Sequence, residues 1–128
     1  GETGPYVQYT YARAASVMRN AGREAAEKAL NCENIKVEHI IGESAYELAK
    51  LLYALPQVII DAGEKYEPSV LTRHIVDIAQ AFNRFYHDEH ILTDNEEEKI
   101  SKLSLVAATK TVLKNGLALL GIEAPERM

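Results

Sequence analysis

The sequence predicts an all-α fold, a helical bundle of four main helices. Two observations carry this expectation. Apolar residues recur at three- and four-residue steps along four separate stretches, the period of one helical face. No stretch alternates convincingly as a strand; residues 35–41 come nearest, and that run is short.

The first helix is expected over residues 5–21. Pro5 suits a first turn, where its missing N–H has no helical partner to lose. Val7, Tyr11, Ala14 and Met18 then share a face, and Gly22 offers a stop. Residues 22–42 lack clean periodicity and hold Gly22, Asn31, Asn34 and Gly42, so they read as a long loop with one short helix at Glu24–Asn31. Loops of that length are often functional. The second helix is expected at about Glu43–Ala54, with Ala45, Leu48, Ala49 and Leu52 on its buried side. Pro56 should break it, since proline lacks the N–H and crowds the preceding carbonyl, leaving a separate turn or helix over Gln57–Tyr66. A third helix starts at Pro68 and runs to about His87, with a stripe of Leu71, Ile75, Ile78, Phe82 and Phe85. The fourth runs from about Asn95 to Leu120 on Leu103, Val106, Leu113, Leu117 and Leu120, and Gly121 ends it. Asp94 with Glu97 matches a capping box, and Glu96, Glu97 and Glu98 lie at the favourable positive end of the helix dipole.

At 128 residues the chain reads as one domain, 1–128, able to bury a real core. No apolar run approaches the ~18 residues of a membrane span. The polar start, Gly1, Glu2 and Thr3, does not read as a signal peptide, and the absence of an initial Met suggests a piece cut from a larger protein. One cysteine, Cys32, excludes an internal disulfide and fits a reducing, cytoplasmic setting. The net charge of −5 argues against a general nucleic-acid binder. It argues less against a site that reads a few splayed bases, where stacking and edge hydrogen bonds dominate.

Three strings stand out. Gly4-Pro5-Tyr6-Val7-Gln8-Tyr9 leads to Tyr11 and Arg13; Arg13, Arg19 and Arg23 are open to pairing with carboxylates or with phosphates. Ala81-Phe82-Asn83-Arg84-Phe85-Tyr86 ends the third helix. Tyr86 lies one residue off the apolar stripe, so it can stack on a base or pack across the bundle. His87 and His90 share a helical face beside Asp88 and Glu89, but two histidines without a cysteine or third ligand do not make a zinc site, and no metal is expected. The third string is the end of the chain, Asn115-Gly116-Leu117 through Pro125-Glu126-Arg127-Met128. There is no Walker loop or nucleophile elbow, and His39-Ile40-Ile41-Gly42 lacks the glycine-rich strand–helix context of a nucleotide motif.

Together the opening G-P-Y-V-Q-Y, the L-K-N-G-L-x-L-L-G-I run and the terminal P-E-R-M resemble the C-terminal anticodon-binding (DALR-type) domain of arginyl-tRNA synthetases. The likeness extends over the whole chain and is strongest at 4–20, 78–90 and 102–128. It implies a piece of a larger synthetase whose catalytic domain is absent. The whole enzyme would be a class I arginine–tRNA ligase that attaches arginine to its tRNA with ATP. The piece itself would be non-catalytic, holding neither ATP nor arginine nor any other cofactor. Its partners would be the anticodon loop of arginine tRNA and the enzyme's own catalytic domain, with no membrane and no second copy. By position, the pocket for the middle anticodon cytosine falls on Tyr86, His90 and Met128, with Arg127 and Asn83 nearby. Gln8, Arg13 and Arg19 are candidates for tRNA backbone contacts. Many members have His where this chain has Tyr11, and some have Trp where it has His90. The terminal E-R-M and the G-P-Y-V-Q-Y string favour the arginyl enzymes over the helical domains of the glycyl β-subunit and cysteinyl enzymes. The rival classes are a helical protein-interaction module without RNA binding, in which Tyr86 and Met128 would pack inside or against a protein partner, and a small metal enzyme built on His87 and His90.

Overall fold

The computed structural model describes residues 3–40 and 42–128, without the side chain of Cys32. Five α-helices form it: α1 (Thr3–Ala21), α2 (Arg23–Ala29), α3 (Glu43–Lys65), α4 (Pro68–Asp88) and α5 (Glu96–Leu119). Two 3-10 turns, Cys32–Asn34 and Val37–His39, lie between α2 and α3. The expected loop is therefore largely folded, with its short helix at Arg23–Ala29. Where residues 35–41 came nearest to a strand, the chain makes the 3-10 turn Val37–His39 instead; Ile41 lies outside the described residues.

α5 is the centre of the bundle. Over Ile100–Thr109 it is buried on nearly every side, by Ile100, Ser101, Lys102, Leu103, Leu105, Val106, Ala107 and Thr109. α1, α2, α3 and α4 all pack on it, and α3 packs along α4. Its buried polar groups are satisfied locally, which limits the cost of taking them from water. The Thr109 hydroxyl donates to the Leu105 carbonyl at 2.7 Å, and the Ser101 hydroxyl accepts the Lys36 N–H at 2.8 Å. α1 meets it with small residues, Ala12, Ala14 and Ala15, interleaved with Val7 and Tyr11. α4 contributes the expected stripe of Ile75, Ile78, Phe82 and Phe85, all buried; Leu71 is only half-buried.

Two local expectations are corrected. α3 is not broken at Pro56 and runs on to Lys65 as one helix. The helix packs chiefly along α4, and that packing outweighs the single lost hydrogen bond. His74 of α4 donates Nε2–H to the Leu51 carbonyl at 2.8 Å, a link beside the proline turn. The N-cap of α5 is Asn95, not Asp94: its side chain accepts the Glu98 N–H at 3.0 Å. Asparagine and aspartate cap almost equally well, so the sequence offered two neighbouring choices.

The turn between α4 and α5 is anchored by Lys102. Its buried ammonium donates to Glu98 Oε1 at 2.9 Å and to the His90 carbonyl at 3.1 Å, and faces Glu89 Oε1 at 3.4 Å. Glu89 Oε2 in turn accepts the Ala45 N–H in the first turn of α3 at 3.1 Å. The hydrogen bond from Lys102 holds the Glu98 carboxyl below its ordinary value, against an opposing effect of burial.

Three outcomes follow. Phe82→Ala should cost about 3–5 kcal/mol in urea denaturation, the range for a truncated core aromatic. Pro56→Ala should stabilise the chain by about 1–3 kcal/mol, since it restores a helical N–H on an exposed position. Glu98 has a depressed pKa, so its contribution is present above the ordinary carboxylate value of about 4.5 and is lost as pH falls through the folded value. Lys102→Met should flatten that acid limb, as read by urea midpoints across the pH range.

Candidate nucleic-acid interface

The start of α1 and the end of α4 lie side by side, joined through Asn83. Its Oδ1 accepts from Arg13 Nη1 at 2.9 Å. Its amide nitrogen donates to the Tyr6 hydroxyl and to Thr10 Oγ1, both at 3.0 Å. Asn83 thus spends its side chain on α1 and fixes the Arg13 guanidinium. That guanidinium lies 4.5 Å from the centre of the Tyr86 ring and 5.4 Å from that of Tyr9. Such cation–π placement is favourable and needs no carboxylate. Tyr86 projects from the end of α4 with 42% of its surface exposed, and its ring lies tilted against that of Phe82 with centroids 6.4 Å apart.

The chain end comes back to this place. Gly121, at φ 73°, closes α5: its N–H reaches the Ala118 carbonyl at 3.0 Å and the Ile122 N–H reaches Leu117 at 2.8 Å, the paired bonds of a Schellman motif. The turn drops Ile122 over α1 at Gly4, where a Cβ would stand 2.7 Å from the Ile122 Cδ1. From there the tail follows α1. Gln8 Nε2 donates to the Glu123 carbonyl at 3.1 Å, and Arg19 Nη1 donates to the Glu126 carbonyl at 2.9 Å. The Glu126 carboxylate pairs with Lys110 of α5 at 3.6 Å. It also faces the Tyr11 phenol, whose pKa is raised by burial first and by Glu126 second.

The result is a cleft of about 370 Å³ lined by Tyr9, Arg13, Arg19, Tyr86, Arg127 and Met128, among others. Of the residues singled out in the sequence, Tyr86, Met128, Arg127, Arg13 and Arg19 meet here. His90 does not; it lines a neighbouring cleft of about 420 Å³ on another side of Tyr86, with His87 and Asn20. Asn83 stands behind Arg13, lining a third cleft with Tyr6, Gln80 and Arg84. Gln8 is committed to the tail. Tyr86 and Met128, the latter 68% exposed, are not packed into the bundle, which leaves both open to a ligand or partner. Tyr9 belongs to the site with a legible signal, since it stands four residues before Arg13 on the same face. Glu126 had none, because its partners are remote in sequence.

The carboxylates beside the paired histidines serve α3. Asp88 Oδ2 accepts the Ser44 hydroxyl at 2.6 Å, and Glu89 caps Ala45. This explains the H-D-E-H string as a tie between α4 and α3. Among the described residues a separate group, Glu38, His39 and Glu97, brings possible ligand atoms together at an exposed edge.

Charge is distributed unevenly. Among the described residues Arg23 is the one arginine paired with a carboxylate. Arg13, Arg19 and Arg127 line the cleft with Tyr86, and Arg84 lines the adjoining one beside Arg13. A chain of net charge −5 therefore carries a local cationic face.

The family model of the DALR anticodon binding domain matches residues 7–128. The chain is 53% identical to the arginine–tRNA ligase of Alkaliphilus metalliredigens and 47% identical to that of Halothermothrix orenii, in each case over its full length and 22% of the relative. Its fold is similar to that of Thermus thermophilus arginyl-tRNA synthetase, with a TM-score of 0.83 and 33% identity, covering all of this chain and 21% of that one. The chain thus spans about a fifth of the length of the relatives it matches. It belongs to the family of DALR anticodon-binding domains.

Proposed function

We propose that this chain is the anticodon-reading part of an arginine–tRNA ligase. In that reading its cleft receives the middle base of the arginine anticodon, a cytosine. The observation that carries the reading is the half-exposed Tyr86 ring with Arg13 held against it by Asn83 and Met128 brought beside it by the tail. An aromatic ring, a thioether and planar guanidinium groups are suited to stack on an unstacked base and to hydrogen-bond its edge. The unpaired arginines offset the acidic net charge where RNA would approach. Affinity for arbitrary RNA is low in this scheme, because the cationic face is small.

The mechanism follows from these parts. The base leaves the loop stack and lies against Tyr86. Arg13 and Arg127 present N–H donors, which suit a cytosine carbonyl. Asn83 is a positioning residue that keeps Arg13 from swinging to solvent. His90, in the adjoining cleft, faces a flanking nucleotide. A wrong base leaves desolvated donors or acceptors unpaired, at roughly 1–3 kcal/mol each. Holding the loop here would orient the acceptor end toward a catalytic domain elsewhere in the parent, which would use ATP and arginine. This chain performs no chemistry in that scheme. We place the parent in the cytoplasm as a monomer; among the described residues no helix is long and apolar enough to cross a membrane.

The test is binding to an arginine-tRNA anticodon stem-loop with the middle cytosine present or replaced. Tyr86→Ala and deletion of Met128 should each weaken cytosine-loop binding by about 5- to 100-fold, the range for a lost base stack, with unchanged helical circular dichroism. Equal binding of both loops by the wild-type chain and by the full synthetase would reject the reading in favour of a protein partner.

A further inference from the structure

We infer that Gln8, Arg19 and Glu126 are positioning residues that seat the C-terminal tail on α1, so that Met128 closes the base cleft. This rests on the anticodon reading above. Gln8 and Arg19 look from sequence like groups for phosphates, yet each spends a donor on a tail carbonyl, at Glu123 and Glu126. The two bonds stand eleven residues apart on α1 and three residues apart on the tail, so together they fix its direction as well as its position.

Glu126 is where the contacts converge. Its carbonyl takes Arg19, and its carboxylate takes Lys110 from α5 and faces Tyr11 from the core of α1. Two helices therefore hold one residue that stands two before Met128. Ile122, set over Gly4, anchors the other end of the segment. Without these contacts the last residues of a chain fray, and an exposed methionine would not keep a fixed place in the cleft. The arrangement gives a short tail the order that base discrimination requires: Met128 must already be in place when the base arrives, since ordering it then would subtract from binding.

A phosphate contact and a tail-seating contact differ in what their loss changes. A lost phosphate contact weakens all RNA loops alike and reduces the salt dependence of binding. Loss of the seat leaves the salt dependence unchanged and erodes the preference for cytosine. The variants are Gln8→Ala, Arg19→Ala and Glu126→Ala, with Glu126→Gln as the conservative control and Met128 deletion as the reference. Each is measured for stem-loop affinity with either middle base across salt concentrations, and for the rate at which carboxypeptidase releases the terminal methionine. Melting temperature and circular dichroism monitor the bundle.

Glu126→Ala should reduce the cytosine preference about tenfold, keep the salt slope, and lose little more when Met128 is also deleted, as coupled residues do. It should speed methionine release several-fold, and Glu126→Gln should be milder in both. Gln8→Ala and Arg19→Ala should follow the same pattern to a smaller degree. A reduced salt slope with an intact cytosine ratio would assign Gln8 and Arg19 to phosphates and overturn the proposal. Full additivity with the Met128 deletion would overturn it too. Should neither the wild-type chain nor the full synthetase show a cytosine preference, the base reading fails, and methionine release still decides the seat: faster release in the variants upholds it, an unchanged rate removes it.

Discussion

The buried ammonium of Lys102 is the interaction on which the arrangement of this bundle depends. An unpaired cation inside a helical core would be costly, and this one is satisfied by three oxygens. Those oxygens belong to Glu98 on α5 itself, to Glu89 at the end of α4, and to the His90 backbone. Because Glu89 also caps the start of α3, one lysine connects the central helix, the exit of α4 and the entry of α3. The end of α4 is the element that carries Tyr86. The electrostatics of the core and the placement of the exposed ring are thus parts of one structure.

The cleft is assembled from three segments of chain that are distant in sequence. α1 supplies Tyr9, Arg13 and Arg19, α4 supplies Tyr86, and the tail supplies Arg127 and Met128. Each is held by hydrogen bonds that do not involve its own neighbours. Arg13 reaches Asn83 across seventy residues, and Gln8 reaches the Glu123 carbonyl across 115. Side chains that look free in a list of polar residues are already committed, and the commitment leaves their neighbours correctly aimed. This division between groups that meet a ligand and groups that aim them is common where a rigid helical scaffold carries a recognition site.

Composition misleads about such a surface. A net charge of −5 describes the whole chain, while recognition concerns a patch. Glutamates here are consumed by i,i+3 and i,i+4 pairs such as Lys99–Glu96 and Lys28–Glu24, by the Lys102 cluster and by helix N-termini. The arginines near Tyr86 have no such partners among the described residues, and Arg13 instead has aromatic rings as neighbours. In the proposed reading, acidity in the rest of the chain would keep general affinity for nucleic acid low without neutralising that face.

The sequence by itself determined the helical class, the stripe on α4 and the end of α5 at Gly121, because each follows from a local period or a single residue's backbone preference, while it left Tyr86 open between exposure and packing. It also carried the family strings at both ends of the chain. It misjudged Pro56, since a propensity for breaking a helix is a local quantity, and the packing of α3 on α4 is not. It grouped His90 with Tyr86 and Met128; in the structure His90 lines a cleft with Tyr86, next to the one that holds Met128. Only the tertiary structure decided that Arg13 lies against Tyr86, that Asn83 works through Arg13, and that Gln8 and Arg19 hold the tail. These pairings join residues whose separations bear no relation to the 3.6-residue helical period, so nothing in the local pattern encodes them; they exist because the core brings α1, α4 and the chain end to one face.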